Sequence, residues 1–327
     1  MTTGELIRLL SDGDYHSGEQ LGERFGVSRT AVWKQLKKLE SQGIVLEAVR
    51  GRGYRLASPL ELLDGPLIVG SLRRDSRRHL ARLFVEESLD STNLFLRERF
   101  SQGAGHAEVC LAESQSAGRG RRGRQWLSGW GQGLTLSLGW RFEGGAAALE
   151  GLSLAIGVVM AQVLERHGLE IRLKWPNDVL MLTAEGEKRK LAGILLELTG
   201  DAEGPCEVVA GIGLNIVLPA SLNGHLDQPA AAVTDQAPGV SRNGLAAELI
   251  GGVLELMADF EQTGFVVWQE AWNRRNAYSG QEVDVIQSTR RYTATDGGVD
   301  ESGNLLVRQG SEELRLVGGE ISLRGRP

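Results

Sequence analysis

The sequence predicts a multidomain α+β protein: an N-terminal winged helix-turn-helix, a central domain built on a mixed sheet, and a small β-barrel at the C-terminal end. Three observations lead there. At 327 residues the chain is too long for one ordinary core, so two or three domains are expected. Helical periodicity at the start gives way, after two prolines in ASPLELLDGP (57–66), to a region where strands outnumber helices. Beyond Asn276 the chain turns into short strands separated by glycine-rich turns, the pattern of a small barrel. The expected domains are 1–58, 66–262 and 276–324.

In the first domain, SGEQLGERFGVSRTAVWKQLKKLESQGI reads as a helix over Ser17 to Phe25, a break at Gly26, and a second helix capped by Ser28 and running to Glu40. Val32, Leu36 and Leu39 recur at helical spacing and face inward. The net charge of the chain is −6, yet residues 28–55 carry seven basic side chains against two acidic ones. A basic block in an acidic protein points to a polyanion-binding face. Ser28, Arg29, Thr30, Lys34 and Lys37 are placed to meet DNA from the second helix. IVLEAVRGRGYRL then forms two short strands whose tip, with Arg50 and Arg52, makes a wing. The alternative is a helical hairpin with a solvated charged face; the wing argues against it.

In the central domain, FVEESLDSTN is a strand entering a polar turn, followed by a helix from about Asn93 to Ser101. HAEVCLAES, GLTLSLGWRF, LAGILLELTG and CEVVAGIGLNIVL are strand-like, and IRLKWPNDVLML is two strands interrupted at Pro176. Residues 149–167 form an apolar, buried helix, and a helix over 244–260 aligns Leu245, Leu249, Val253, Leu256, Met257 and Phe260. Successive strands often lack an intervening helix, so a mixed sheet is expected rather than a doubly wound one. The uncharged apolar run 151–164 falls short of the roughly 18 to 20 residues of a membrane-spanning helix, and the N-terminus lacks the basic head of a secretory signal. Cys110 and Cys206 and the five histidines match no metal-ligand spacing. A cytoplasmic protein with no membrane association and no protein-bound metal site is expected.

GRGRRGRQW (118–126) places four arginines and three glycines in nine positions. Its letters fit the dinucleotide fingerprint G-x-G-x-x-G, but that motif must open a helix, and this one continues as QWLSGWGQGL without helical periodicity. No G-K-[ST] is present for a Walker loop. What remains is a flexible loop of phosphate and carboxylate donors, expected to stay disordered until an anion draws it in, since ordering each residue costs about 1 to 2 kcal/mol of backbone entropy. A solvated basic surface loop is the competing reading; the flanking Ser114, Gln115, Ser116 and Trp126 argue against it. In KWPND (174–178) and RKLAGIL, Lys174 and Lys190 lie on neighbouring strands facing one cleft, with Asn177 and Asp178 at its rim.

DSTN (90–93), AESQSAGRGRRGRQW (112–126), KWPND (174–178), KLAGILLEL (190–198), GIGLNI (211–216) and GGEISLR (318–324) together resemble the successive motifs of the biotin protein ligases. With the N-terminal winged helix, the chain is similar to those that double as repressors of the biotin operon. The resemblance spans nearly the whole chain. It implies a central domain like that of class II aminoacyl-tRNA synthetases and biotin ligases, and an SH3-like terminal barrel. It also implies ATP-dependent conversion of biotin to biotinyl-5'-AMP, then transfer to a lysine of the biotin carboxyl carrier protein of acetyl-CoA carboxylase, a biotin-[acetyl-CoA-carboxylase] ligase reaction. ATP and Mg²⁺ are the implied cofactors. The adenylate serves as corepressor, and its homodimer binds an inverted-repeat operator DNA.

By the same resemblance Ser91, Thr92, Asn93 and Gln115 surround the biotin ring. Arg119, Gly120 and Arg121 cover the biotin tail and α-phosphate, and Lys190 bonds the carboxylate or acyl phosphate. Trp126 closes over the adenylate, Lys174 and Asn177 lie near the phosphates, Asp178 positions the acceptor lysine, Asn215 contacts adenine, and Arg324 reaches towards the ATP phosphates. Residues 216–240 contain no Phe, Tyr or Trp to stack on adenine, and the turn TAEGEKRK looks longer than the family's. A biotin-sensing transcription factor without ligase activity and a lipoate protein ligase are the alternatives.

Overall fold

The computed structural model describes residues 1–58, 60–200, 204–219, 226, 228–286 and 291–318, and the backbone of 322–325. Local sequence chemistry sets the first domain. Helix α1 (Thr3–Leu10) is closed by a capping box between Thr2 and Glu5, and α2 (Gly18–Phe25) by one between Ser17 and Gln20. Gly26 ends α2 in the left-handed conformation that glycine adopts without steric cost (φ 64°), and Ser28 caps α3 (Arg29–Ser41). Strands β1 (Leu46–Val49) and β2 (Gly53–Leu56) form the antiparallel wing. Leu6, Ile7, Leu10, Leu21, Val32, Leu36 and Leu39 make a core.

That core is shared. Trp130, from the central domain, is buried in it together with Ile44 and Leu56, and Leu60 and Leu62 of the linker pack on its edge. Gln132 donates from Nε2 to the Gly43 carbonyl at 3.1 Å. The linker is anchored by a buried ion pair between Arg242 and Glu113 (2.5 Å), whose carboxylate also accepts the Leu63 N–H at 2.6 Å. Arg242 donates further to the carbonyls of Gly133 and Glu61. A buried pair of this kind holds geometry where further hydrogen bonds, here to the Leu63 N–H and the Gly133 and Glu61 carbonyls, support it.

The central sheet has seven strands in the order β3-β4-β5-β9-β8-β7-β6: β3 (Arg82–Glu86), β4 (Glu108–Ala112), β5 (Gly133–Phe142), β6 (Ile171–Lys174), β7 (Asp178–Leu182), β8 (Lys188–Gly200) and β9 (Cys206–Asn215). Only the β3–β4 pair is parallel, so the mixed sheet is as the strand-rich pattern predicts. Helices α4 (Gly65–Ser71), α5 (Arg74–Arg77), α6 (Thr92–Ser101), α7 (Leu152–Arg166), α8 (Arg242–Thr263) and α9 (Val266–Asn273) pack around it. A short 3₁₀ turn extends α7 backwards, and the helical stretch 146–166 is then long and apolar enough to cross a membrane by composition. Two thirds of that stretch is buried against the sheet and α8, so its apolarity is accounted for by the core.

Beyond Asn276 the expected barrel takes the form of a five-stranded antiparallel sheet, β13-β12-β11-β10-β14. Its strands are β10 (Glu282–Ile286), β11 (Arg291–Val299), β12 (Leu305–Gln309), β13 (Glu312–Leu316) and β14 (Ser322–Gly325). It shares a hydrophobic core with the central domain, and Gln269 and Asn273 of α9 bond the backbone of Val299. Trp175 of KWPND is buried and donates from Nε1 to the Gly303 carbonyl at 3.1 Å. Lys188, within TAEGEKRK and the first residue of β8, donates to Gln281 at 3.0 Å and lies over the Tyr278 ring. The turn for which the sequence offers no role thus reaches the terminal domain.

Candidate active site

One cavity of about 390 Å³ opens at the end of the central sheet where β3 and β4 finish, β5 begins and β9 ends. The β6–β8 segment carries the basic side of the site. Because β7 runs antiparallel to both β6 and β8, Lys174 pairs in register with Asp178, and Lys190 with Leu180. The two lysines and Asp178 therefore share one face. Asp178 lies 2.6 Å from Lys190 and 3.8 Å from Lys174, and all three are largely shielded from solvent. Two ammonium groups on one carboxylate leave a local positive excess, and shielding from water strengthens its pull on an anion.

The polar end is built by the start of α6. Ser91, Thr92 and Asn93 are buried there. The Thr92 N–H and hydroxyl both donate to Gln115 Oε1, at 2.8 and 3.1 Å. Ser137 of β5 lies 2.7 Å from Thr92 Oγ1 and donates to Asn93 Oδ1 at 2.5 Å. Asn93 donates in turn to Glu197 of β8 at 2.8 Å. A chain of fixed donors and acceptors suits a neutral polar ring that presents both.

Between the two ends lies the arginine loop. The loop has partners within the fold that the sequence does not reveal. Arg119 and Gln125 form an antiparallel bridge, Gly120 donates its N–H to the Arg124 carbonyl and Trp126 to that of Gly118. Arg119 pairs with Glu197 at 2.8 Å, and Arg121 donates to Asn177 Oδ1 at 3.2 Å. Residues 121–123 make a single 3₁₀ turn, so the loop does not open a helix as a dinucleotide fingerprint would. Burial, with Arg122 and Arg124 beside it, draws the Arg121 guanidinium below its ordinary pKa, against the opposing pull of Asp178.

Trp126 closes the loop's far end. Its ring lies against Gly213 and Gly193, with the Lys190 ammonium 5.8 Å from the ring centroid. The two glycines of GIGLNI make room for their neighbours: a methyl group at Gly211 would collide with Asn93 Oδ1, and one at Gly213 with the indole of Trp126. Asn215 is buried, lines the cavity and donates to the Ala231 carbonyl at 3.1 Å. Residues 220–225 and 227, part of the segment without aromatic residues, lie outside the described residues, as does the Arg324 side chain; its backbone pairs with Asp284.

Of the residues singled out from sequence, Ser91, Thr92, Asn93, Gln115, Arg119, Gly120, Arg121, Trp126, Lys174, Asn177, Asp178, Lys190 and Asn215 all line this cavity. Ser137 and Glu197 are missing from that set. Each sits at a position that period-two alternation along its strand could have marked: Thr135 and Ser137 alternate with Leu134, Leu136 and Leu138 in β5, and Glu197 shares the alternating face of Gly193 and Leu195. Both thiols are buried, and burial pushes their pKa up, so neither is a poised nucleophile.

On the winged helix, Ser28, Arg29, Thr30, Lys34, Lys37, Arg50 and Arg52 are all exposed. Ser28 accepts the Ala31 N–H as the cap of α3, and Lys37 pairs with Glu40 at 2.7 Å. Arg52 and Arg55 lie over the Tyr15 ring at 4.3 and 4.6 Å, which fixes the base of the wing. Trp33, unmarked in the sequence reading, is half exposed on α3 beside Lys34.

Comparison with known proteins assigns all three regions. Residues 5–55 match an HTH domain model, 85–215 the biotin/lipoate A/B protein ligase family and 278–324 the biotin protein ligase C-terminal domain. The bifunctional ligase/repressor BirA of Salmonella typhimurium is 40% identical over 98% of this chain and 96% of its own length. That of Escherichia coli is 39% identical over the same shares. The biotin protein ligase from Aquifex aeolicus, solved in complex with biotin and ATP, superposes with a TM-score of 0.63 at 25% identity, covering 76% of this chain and 100% of that one.

Proposed function

The chain belongs to the biotin protein ligase family, with the bifunctional ligase/repressors, and from this and the site we propose that it activates biotin with ATP, biotinylates a carrier protein and represses transcription. The observation that supports the reading most is the junction of a fixed polar cluster (Thr92, Asn93 and Gln115, braced by Ser137 from behind) with a cationic end (Arg121, Lys174, Lys190) in one cavity.

In the first step the biotin carboxylate attacks the α-phosphorus of ATP. The bond to the bridging oxygen breaks and pyrophosphate leaves. Both reactants are anions, so the task of the protein is to neutralise and align them, and no enzyme nucleophile is required. Thr92, Asn93 and Gln115 hold the ring; Arg119, Gly120 and Arg121 cover the tail and α-phosphate. Lys190 bonds the carboxylate and then the acyl phosphate, Lys174 and Asn177 serve the phosphates, Trp126 covers the adenylate, and Asn215 and Arg324 serve the nucleotide. Magnesium bound with the ATP phosphates would supply further charge neutralisation beside Lys174 and Lys190. In the second step the neutral amine of a lysine on the biotin carboxyl carrier protein attacks the acyl carbon and AMP leaves. Asp178 positions that lysine.

The adenylate-bound protein forms a homodimer that presents two winged helices to an inverted-repeat operator, so the intermediate doubles as corepressor. The protein acts in the cytoplasm. Exchange of labelled pyrophosphate into ATP tests the enzymatic reading. Exchange that requires biotin and is not replaced by lipoate is expected. No exchange with biotin would leave a sensor without catalysis, and exchange with lipoate alone would make it a lipoate ligase.

A further inference from the structure

Glu197 stands outside the set of residues that line the cavity, yet it meets both the polar end of the site and the arginine loop. Its Oε1 pairs with Arg119 at 2.8 Å, and its Oε2 accepts from Asn93 at 2.8 Å. Arg97, at 3.4 Å and nearly half exposed, is a weaker third partner. The carboxylate is shielded, with 16% of the side chain accessible. Asn93 is held by Ser137 from the opposite side, so Glu197 has one fixed neighbour and one neighbour on the arginine loop. A hold on Arg119 reaches the rest of the loop through the Arg119–Gln125 bridge and the bond from Gly120 to Arg124, which tie its two limbs together. The turn beyond carries Arg121 to Asn177.

We propose that Glu197 is a positioning residue that fastens the arginine loop through Arg119 and so keeps Arg121 at the cavity. The two arginines then divide the work. Arg119 is largely committed to a protein carboxylate, while Arg121, on the buried side, is the guanidinium that faces the substrate anion. The fastening stands on the geometry alone; its consequence for retaining the adenylate rests on the proposed function.

Glu197→Gln tests this, because the amide oxygen can still accept from Asn93 while the charge that holds Arg119 is lost. In the full-length protein without ligand, amide hydrogen exchange across residues 118–126 is expected to rise about three- to tenfold, the range for losing one partly exposed charged hydrogen bond. Arg119→Gln, a change in a surface loop, should give the same rise, and the double variant no more than either alone. High salt should loosen the wild-type loop and leave Glu197→Gln unchanged. Unaltered loop exchange in both single variants would overturn the proposal. So would an equal rise throughout α6 and β8, which would make Glu197 a structural residue only. With biotin and ATP, Glu197→Gln should release labelled adenylate faster. Were wild-type protein to form no adenylate, the function would fail while the exchange result still decided the fastening.

Discussion

Trp126 and Gly213 are in direct contact: the indole at the end of the arginine loop rests where a side chain on β9 would otherwise stand. Gly213→Ala is therefore expected to push the ring out of place. Overpacking of this kind costs about 1 to 3 kcal/mol, so biotin-dependent pyrophosphate exchange should fall by about tenfold. The same strain should lower the melting temperature by a few degrees. Undiminished exchange would show that the indole is not needed over the nucleotide.

Arg121→Gly removes the guanidinium from the buried side of the loop while leaving the Arg119–Glu197 pair. Loss of one charged hydrogen bond to the adenylate, worth about 1.5 to 3 kcal/mol, should speed its release by about ten- to hundredfold. Release of labelled adenylate from a gel-filtered complex measures this, and an unchanged rate would remove Arg121 from that role.

On the winged helix, Lys34→Ala and Arg52→Ala should each weaken operator binding and lower the slope of log K against log salt by about one. Pyrophosphate exchange should be untouched, because neither residue lines the cavity. An unaltered salt slope would place both side chains away from phosphate.

Asp296, in the C-terminal sheet, gives a pH dependence of definite sign. Its Oδ1 accepts from Asn276 and Gly298, but Oδ2 is buried with no partner among the described residues, and burial raises the pKa above its ordinary value. The folded state then holds a proton more tightly than the unfolded one. The stability linked to this group is complete below the unfolded pKa and is lost as pH rises through the folded one. Asp296→Asn should melt higher than wild type at neutral pH, and the difference should shrink on acidification. Parallel curves from pH 4 to 8 would contradict this.

How much of this was legible in the sequence follows the distance over which each interaction acts. Ser17, Gly26 and Ser28 fix the helix-turn-helix within a few residues of themselves, and a cap or a left-handed turn can be read directly. Lys174, Asp178 and Lys190 lie on successive antiparallel strands, so strand pairing alone brings them together. The protein partners of the arginine loop were missed because Glu197 lies far along the chain from Arg119, and only the closed sheet makes them neighbours. The Arg242–Glu113 pair, 129 residues apart, was missed for the same reason.

Trp130 has one more consequence. Because its indole completes the core of the DNA-binding domain from outside that domain, neither part can be excised cleanly. A fragment beginning after residue 58 would present a bare aromatic ring beside Leu60 and Leu62 to solvent, an adhesive patch that invites self-association. The detached winged helix would in turn be left with a hole in its interior. Grafting either module onto another protein would require redesigning this surface first.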